Sequence, residues 1–193
     1  MLITGLGIGI FVGLILLIIM TPRVVEYVET ITIKGSDAEI YDAIRYQESL
    51  MEWSAWPSET SSTCHVEAQD GEVGAMTVFV DKKGKRFGHQ TVEKLSSCRY
   101  VSFGLESKGP PHTPTLNFYI TPQSNNGCVV MLHFRNHITP PFHVMLRLFG
   151  IVKWTREMHL KDLDGLRRYV ENAENYKGQP LQKALSENDF AFG

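Results

Sequence analysis

Hydrophobic and polar positions follow three different patterns along this chain. Residues 2–20, LITGLGIGIFVGLILLIIM, have no period at all, because none of them is charged. A helix of that length rises about 28 Å, close to the hydrocarbon thickness of a bilayer. No Lys or Arg precedes the run, and it ends in Met20-Thr21-Pro22-Arg23 rather than in small residues, so it reads as an uncleaved anchor and not as a signal peptide. Residues 24–34, VVEYVETITIK, alternate with period two and are rich in β-branched residues, which predicts a strand. Gly35-Ser36-Asp37 then supplies a turn and a helix cap, with Glu39 placed for a capping box. Ile40, Ala43, Ile44 and Gln47 follow at helical spacing, and a second short helix reaches Trp53 and ends at Pro57.

Strands follow: a weak one over 62–69, then 74–82, 85–95, 99–107, 115–121 and 128–137. Lys83-Gly84 joins the second and third of these as a tight hairpin, and the cluster from Pro122 to Gly127 joins the last two. Pro140-Pro141 breaks the pattern. Residues 142–171 then place Phe142, Met145, Leu148, Phe149, Val152, Met158, Leu163, Leu166 and Val170 on one face of a single long helix. The tail from 173 to 193 is mostly polar.

Order and residues together resemble a known family. The segment SFGLESKGPPHTPTLNFYITPQSNNG is similar to the central strands of polyketide cyclase/dehydrase-type proteins of the START-like (SRPBCC, helix-grip) superfamily. VGAMTVFVDKKGKRFGHQTVEKLSSCRYVSF before it and FHVMLRLFGIVKWTREMHLKDLDGLRRYV after it share the likeness. Trp53-Ser54-Ala55-Trp56-Pro57 resembles the W-x-x-W turn that many members carry after their second helix. The resemblance implies an α+β helix-grip fold, a curved antiparallel sheet wrapped around a long C-terminal helix, here preceded by one transmembrane helix. The expected organisation is an anchor over 1–22, a START-like domain over 24–172 and a tail over 173–193.

The family also implies a cavity between sheet and helix for an apolar small molecule. Alternation nominates its lining. The candidates are Met76, Val78, Gln90, Phe103, Phe118, Phe134 and Asn136 from the strands, and Met145 and Phe149 from the helix. Trp53 and Trp56 either close one end of that cavity or pin the short helices onto the sheet, the second being the commoner use of large aromatics. Such a wall is apolar with Gln90 and Asn136 as its polar points, which suits a ligand pocket and a plain core alike.

Charge and composition narrow the choice. The formal charge is −2, which excludes the dense basic face of a nucleic-acid binder. Cys64, Cys98 and Cys128 are an odd, widely spaced set that forms neither a disulfide framework nor a zinc site. His133 and His137 are about 13 Å apart on a strand, too far for one ion, and point outward with His89. His143 and His159 lie on the long helix; His159 is within reach of the cavity, but a satisfied structural histidine is the commoner use of such a residue. No catalytic constellation, cofactor or metal is assigned.

Three readings remain. One is a membrane-tethered carrier of a lipid, quinone or polyketide-like compound, partnered by the membrane through residues 2–20. The second is a cyclase/dehydrase-type enzyme acting on such a compound. The third is a structural or interaction domain that dimerises through Gly5, Gly9 and Gly13, four apart on one helix face. Arg23, just past the apolar run, places the domain on the cytoplasmic side of a single-pass membrane protein.

Overall fold

The computed structural model describes residues 2–109, 111–124 and 127–172, with side chains from residue 11 onward. Helix α1 (Leu2–Met20) leads into strand β1 (Val24–Lys34). Three short helices follow: α2 (Asp37–Arg45), α3 (Gln47–Trp53) and the single turn α4 (Trp56–Glu59). Six strands come next: β2 (Thr63–Glu67), β3 (Met76–Val80), β4 (Arg86–Ser96), β5 (Tyr100–Ser107), β6 (His112–Pro122) and β7 (Gly127–Ile138). The chain closes with α5 (Phe142–Leu148) and α6 (Ile151–Glu171).

All seven strands make one curved antiparallel sheet in the order β1-β7-β6-β5-β4-β3-β2. Only β1 is out of sequence, since it pairs with β7 from Val24↔His137 to Lys34↔Gly127. Register shifts at Phe79/Val80 and Val92/Lys94 add the local bend that a bulge supplies. Helix α6 lies across the concave face and packs on β1, α2 and α3. The capping box forms as read: the Ser36 hydroxyl accepts from the Glu39 N–H at 3.2 Å, and the Glu39 carboxylate accepts from the Ser36 N–H at 2.9 Å.

The middle of the concave face is solid. Val92, Val101, Phe103, Phe118, Ile120, Val130 and Leu132 are buried against Ile40, Ile44, Trp53, Leu163 and Leu166. Trp53 meets Phe118 edge-on at 6.4 Å, and Phe118 meets Phe103 at 6.0 Å. The Trp53 indole N–H donates to Ala43 O at 2.8 Å, which satisfies its one polar atom.

Four expectations are corrected. The transmembrane helix and the single-pass, cytoplasmic placement built on it do not stand: among the described residues no helix is long and apolar enough to cross a membrane. Residues 2–20 are helical. Gly5 and Gly9 have only a described helical backbone, Gly13 has open space around it, and the tail 173–193 lies outside the described residues.

The long C-terminal helix is two helices. Gly150, at φ +72°, sits in the left-handed region that glycine enters without a Cβ penalty, and it separates α5 from α6. Pro57 does not end the second helix; it lies inside the turn α4, near its start, where its missing N–H costs nothing. The face assigned to β3 is inverted. Gln90 and Phe79 share the concave side with Thr77, because Thr77 pairs with Gln90 and Phe79 with Gly88. The Thr77 hydroxyl donates to Gln47 Oε1 at 3.0 Å, which lets a polar residue take the buried position. Val78 is buried on the other face, between its cross-strand neighbours His65 and His89.

The end of α1 is tied to α5. His143, fully buried, donates through Nε2 to Ile18 O at 3.0 Å. Arg147 donates to Pro22 O at 3.3 Å and to Val24 O at 3.0 Å. The first of these contacts satisfies a carbonyl that the end of a helix leaves open, and the other two hold the link between α1 and β1.

Candidate functional site

One end of the concave face is not filled. Where β4 begins, β5 ends, β6 begins and β7 ends, the sheet parts from α5 and the first turns of α6 and leaves a cavity of about 310 Å³. Phe79, Phe87, Leu105, Pro114 and Phe134 form the sheet wall. Leu146, Ile151, Trp154 and Thr155 form the helix wall, and Trp56 closes the side. Gly150 separates α5 from α6 along this wall, which Leu146 of α5 and Ile151 of α6 both line.

An aromatic cluster makes the deep end. Trp56 meets Trp154 edge-on at 5.2 Å, and the His159 ring lies 4.9 Å from Phe134, 5.8 Å from Tyr27 and 6.0 Å from Trp56. His159 is 1% exposed and bonds through Nδ1 to the Tyr27 hydroxyl at 2.8 Å. Burial pushes its imidazole down to about 4, so the ring is neutral at neutral pH. Burial, reinforced by Glu29, holds the Tyr27 phenol above its ordinary range.

One turn further along α6 stands Asp162, 4% exposed. Its Oδ1 accepts from the Ala55 N–H at 2.8 Å and the Ser54 hydroxyl at 3.1 Å; its Oδ2 accepts from the Trp56 indole N–H at 2.9 Å. One carboxyl thus binds the whole tryptophan loop to α6 and sets the position of Trp56 on the cavity wall. Burial pushes the carboxyl up to about 7, with the three hydrogen bonds pulling the other way.

These two groups make opposite contributions to stability against pH. Asp162 ionises in the unfolded chain near 3.8 but keeps its proton to about 7 when folded. Its contribution is present at low pH and is lost as pH rises through that window. The unfolded histidine takes a proton near 6.5 and the folded one only near 4, so its contribution is present at high pH and is lost as pH falls. Each slope is at most about 1.4 kcal/mol per pH unit, so the two cancel between pH 4 and 6.5. Urea unfolding at pH 4.5 and 6.5 checks this. The stability difference from wild type is expected to move in favour of Asp162→Asn, and against His159→Phe, as pH rises from 4.5 to 6.5. Variants with the wild-type pH dependence would refute the assignment.

The eleven residues nominated from the sequence go to different places. Trp56, Phe134 and Asn136 line the cavity. Trp53, Phe103 and Phe118 are in the closed core, and Gln90 is buried beside the lining residues Gly88 and Leu105 with no partner for its Nε2. Met76 and Val78 lie on the opposite face of β3. Met145 and Phe149 are 46% and 74% exposed, because the α5–α6 break turns them outward. Of the two tryptophans, Trp53 is the pin and Trp56 the wall. His89 lines the rim beside Glu106, at 3.5 Å. His133 bonds to Glu26 at 2.7 Å on the outer face. Among the described residues no cluster of His, Cys, Asp and Glu could hold a metal ion.

Solved structures share this architecture. A norcoclaurine synthase variant from Thalictrum flavum superposes with TM-score 0.61 at 11% identity, over 78% of this chain and 96% of that one. Protein SA2116 from Staphylococcus aureus gives 0.60 at 15% identity, over 79% and 96%. The di-domain ARO/CYC StfQ of the steffimycin biosynthetic pathway gives 0.58 at 13% identity, over 79% of this chain and 52% of that one. The fold is the helix-grip fold. No family model matches the sequence, and neither does any curated protein. At these identities the helix-grip likeness concerns architecture and not chemistry.

Proposed function

We propose that this helix-grip protein binds a small, mostly apolar molecule in the cavity between its sheet and α5–α6. The observation that carries the reading is the 310 Å³ space itself, walled by aromatic and aliphatic side chains with few polar groups. A filled structural core would have closed it, as the middle of the same face has closed. The volume equals that of roughly ten liquid waters, which suits a ring compound of polyketide or quinone-head type better than a whole two-chain lipid.

The enzyme reading has the names of two fold neighbours behind it, norcoclaurine synthase and ARO/CYC StfQ. The groups present favour binding. A general base works best with a pKa near the operating pH, and His159 sits near 4. Asp162 spends both carboxylate oxygens on the tryptophan loop and does not line the cavity.

Native mass spectrometry with organic extraction, on the full chain purified from its own host, tests the proposal. An apolar compound near one-to-one stoichiometry is expected. Leu105→Trp, which builds a larger ring into the cavity wall, is expected to lose it while keeping the wild-type circular dichroism. A clean apo mass with no uptake from a host extract would overturn the binding reading.

A further inference from the structure

The cavity wall holds one buried polar atom without a partner, Asn136 Oδ1, and a second hydrogen-bonding atom is contributed by the His159 ring. The Tyr27 hydroxyl has one hydrogen and one neighbour for it, His159 Nδ1 at 2.8 Å. With the phenol donating there, the neutral imidazole carries its own hydrogen on Nε2, which has no partner among the described residues. Asn136 Oδ1 is buried and likewise unpartnered. Both residues line the cavity. They also belong to one side of it: Asn136 follows Phe134 by two on β7, hence on the same face, and the Phe134 ring is 4.9 Å from His159. A buried acceptor left open, as Asn136 Oδ1 is, costs stability until something satisfies it. Here the space beside it is the cavity.

Charge is arranged differently. The lining residues Glu106 and Lys108 are exposed at the rim, and Glu106 faces His89 there. Among the described residues none brings a free charge to the deep end to meet an ionic ligand, and an ion there would be desolvated without compensation.

We infer that the cavity selects a neutral compound with a carbonyl-type acceptor and a hydroxyl-type donor on an otherwise apolar body, the acceptor meeting His159 Nε2–H and the donor meeting Asn136 Oδ1. This deepens the binding reading and rests on it. On the helix wall the Thr155 hydroxyl donates to Ile151 O at 2.9 Å, so at the deep end His159 and Asn136 set specificity. His159 Nε2 is a donor only because Tyr27 holds the opposite nitrogen, which makes Tyr27 a positioning residue for recognition.

A matched set of aromatic probes tests the inference on the full chain. Ethylbenzene carries neither group, acetophenone the acceptor, 3-ethylphenol the donor, and the three hydroxyacetophenone isomers carry both at different spacings. Dissociation constants come from calorimetry, with quenching of Trp56 and Trp154, both on the wall, as a second readout. At least one hydroxyacetophenone is expected to bind about tenfold or more tighter than ethylbenzene. His159→Phe is expected to erase the gain of acetophenone and keep that of 3-ethylphenol; Asn136→Leu is expected to do the reverse. Ethylbenzene, which uses neither group, is the reference for each variant: the ratios of the other probes to it carry the test, and far-UV circular dichroism shows that each variant is folded. Equal binding of all probes to wild type would overturn the inference and leave an apolar-binding cavity. Variants that preserve the wild-type ranking would do the same, as would tighter binding of benzoate than of acetophenone. Failure of every probe, ethylbenzene included, would overturn the binding reading itself.

Discussion

A Gly165→Ala protein is expected to be less stable than wild type by about 2–3 kcal/mol, the size of a core overpacking defect. Helix propensity alone argues the other way, since alanine gains about 1 kcal/mol over glycine inside a helix. Packing decides the sign. A methyl on Gly165 would stand 2.1 Å from Trp53 O and 3.2 Å from its carbonyl carbon. Those are backbone atoms at the end of α3, so no side chain can rotate away. The end of α3 must retreat from α6, and Trp53 is the residue least able to follow. It is 2% exposed, edge-on to Phe118 and bonded to Ala43 O. Urea midpoints for the two proteins settle the matter. A midpoint equal to or above wild type would mean that α3 and α6 do not touch as described.

Asp162→Ala is expected to cost about 3 kcal/mol or more, because it orphans three donors at once and each buried orphan costs about 1–3 kcal/mol. The Ala55 N–H, the Ser54 hydroxyl and the Trp56 indole all end on this carboxyl. Asp162→Asn keeps one oxygen to accept and turns an amide N–H₂ towards a donor, so its loss should be intermediate. Binding should suffer beyond stability, since Trp56 is a wall of the cavity and loses the bond that aims it. The signature is a weaker probe affinity under conditions where circular dichroism shows the variant still folded. An Asp162→Ala protein with wild-type stability would show that water replaces the carboxyl without penalty.

Much of this molecule is legible in the sequence, and the failures have physical reasons. Strands with one buried face advertise themselves: the alternation of Leu116, Phe118 and Ile120 or of Val130, Leu132 and Phe134 maps directly onto the concave side. Strand β3 misleads because its apolar side faces outward, while Thr77 is buried through a hydrogen bond that only the fold provides. The α5–α6 break hides because Phe149 and Val152 continue a helical spacing across Gly150, and a glycine inside such a pattern is tolerated. Assigning Met145 and Phe149 to the cavity, where Leu146 and Ile151 belong, follows from that one missed break. Asp162 was findable. It lies four residues after Met158 and four before Leu166, on the buried stripe of α6, and a carboxylate there needs partners. His159 on the same stripe carried the matching signal, and Trp154 stands only five residues before it.

The pairing of β1 with β7 has a consequence for how the protein is made. Lys34 waits for Gly127, so about 90 residues must be added between the first strand and its partner. At roughly 5–20 residues per second that is about 5–20 s of translation. Throughout that interval the meander from β2 onward can build itself hairpin by hairpin, while β1 has no neighbour to bond. A lone β-branched strand of this kind invites pairing with other nascent chains. Glu26, Glu29 and Lys34, spaced along VVEYVETITIK, are the charges that oppose it. Neutralising them should lower the yield of folded protein from the ribosome more than it lowers the stability of protein that has already folded.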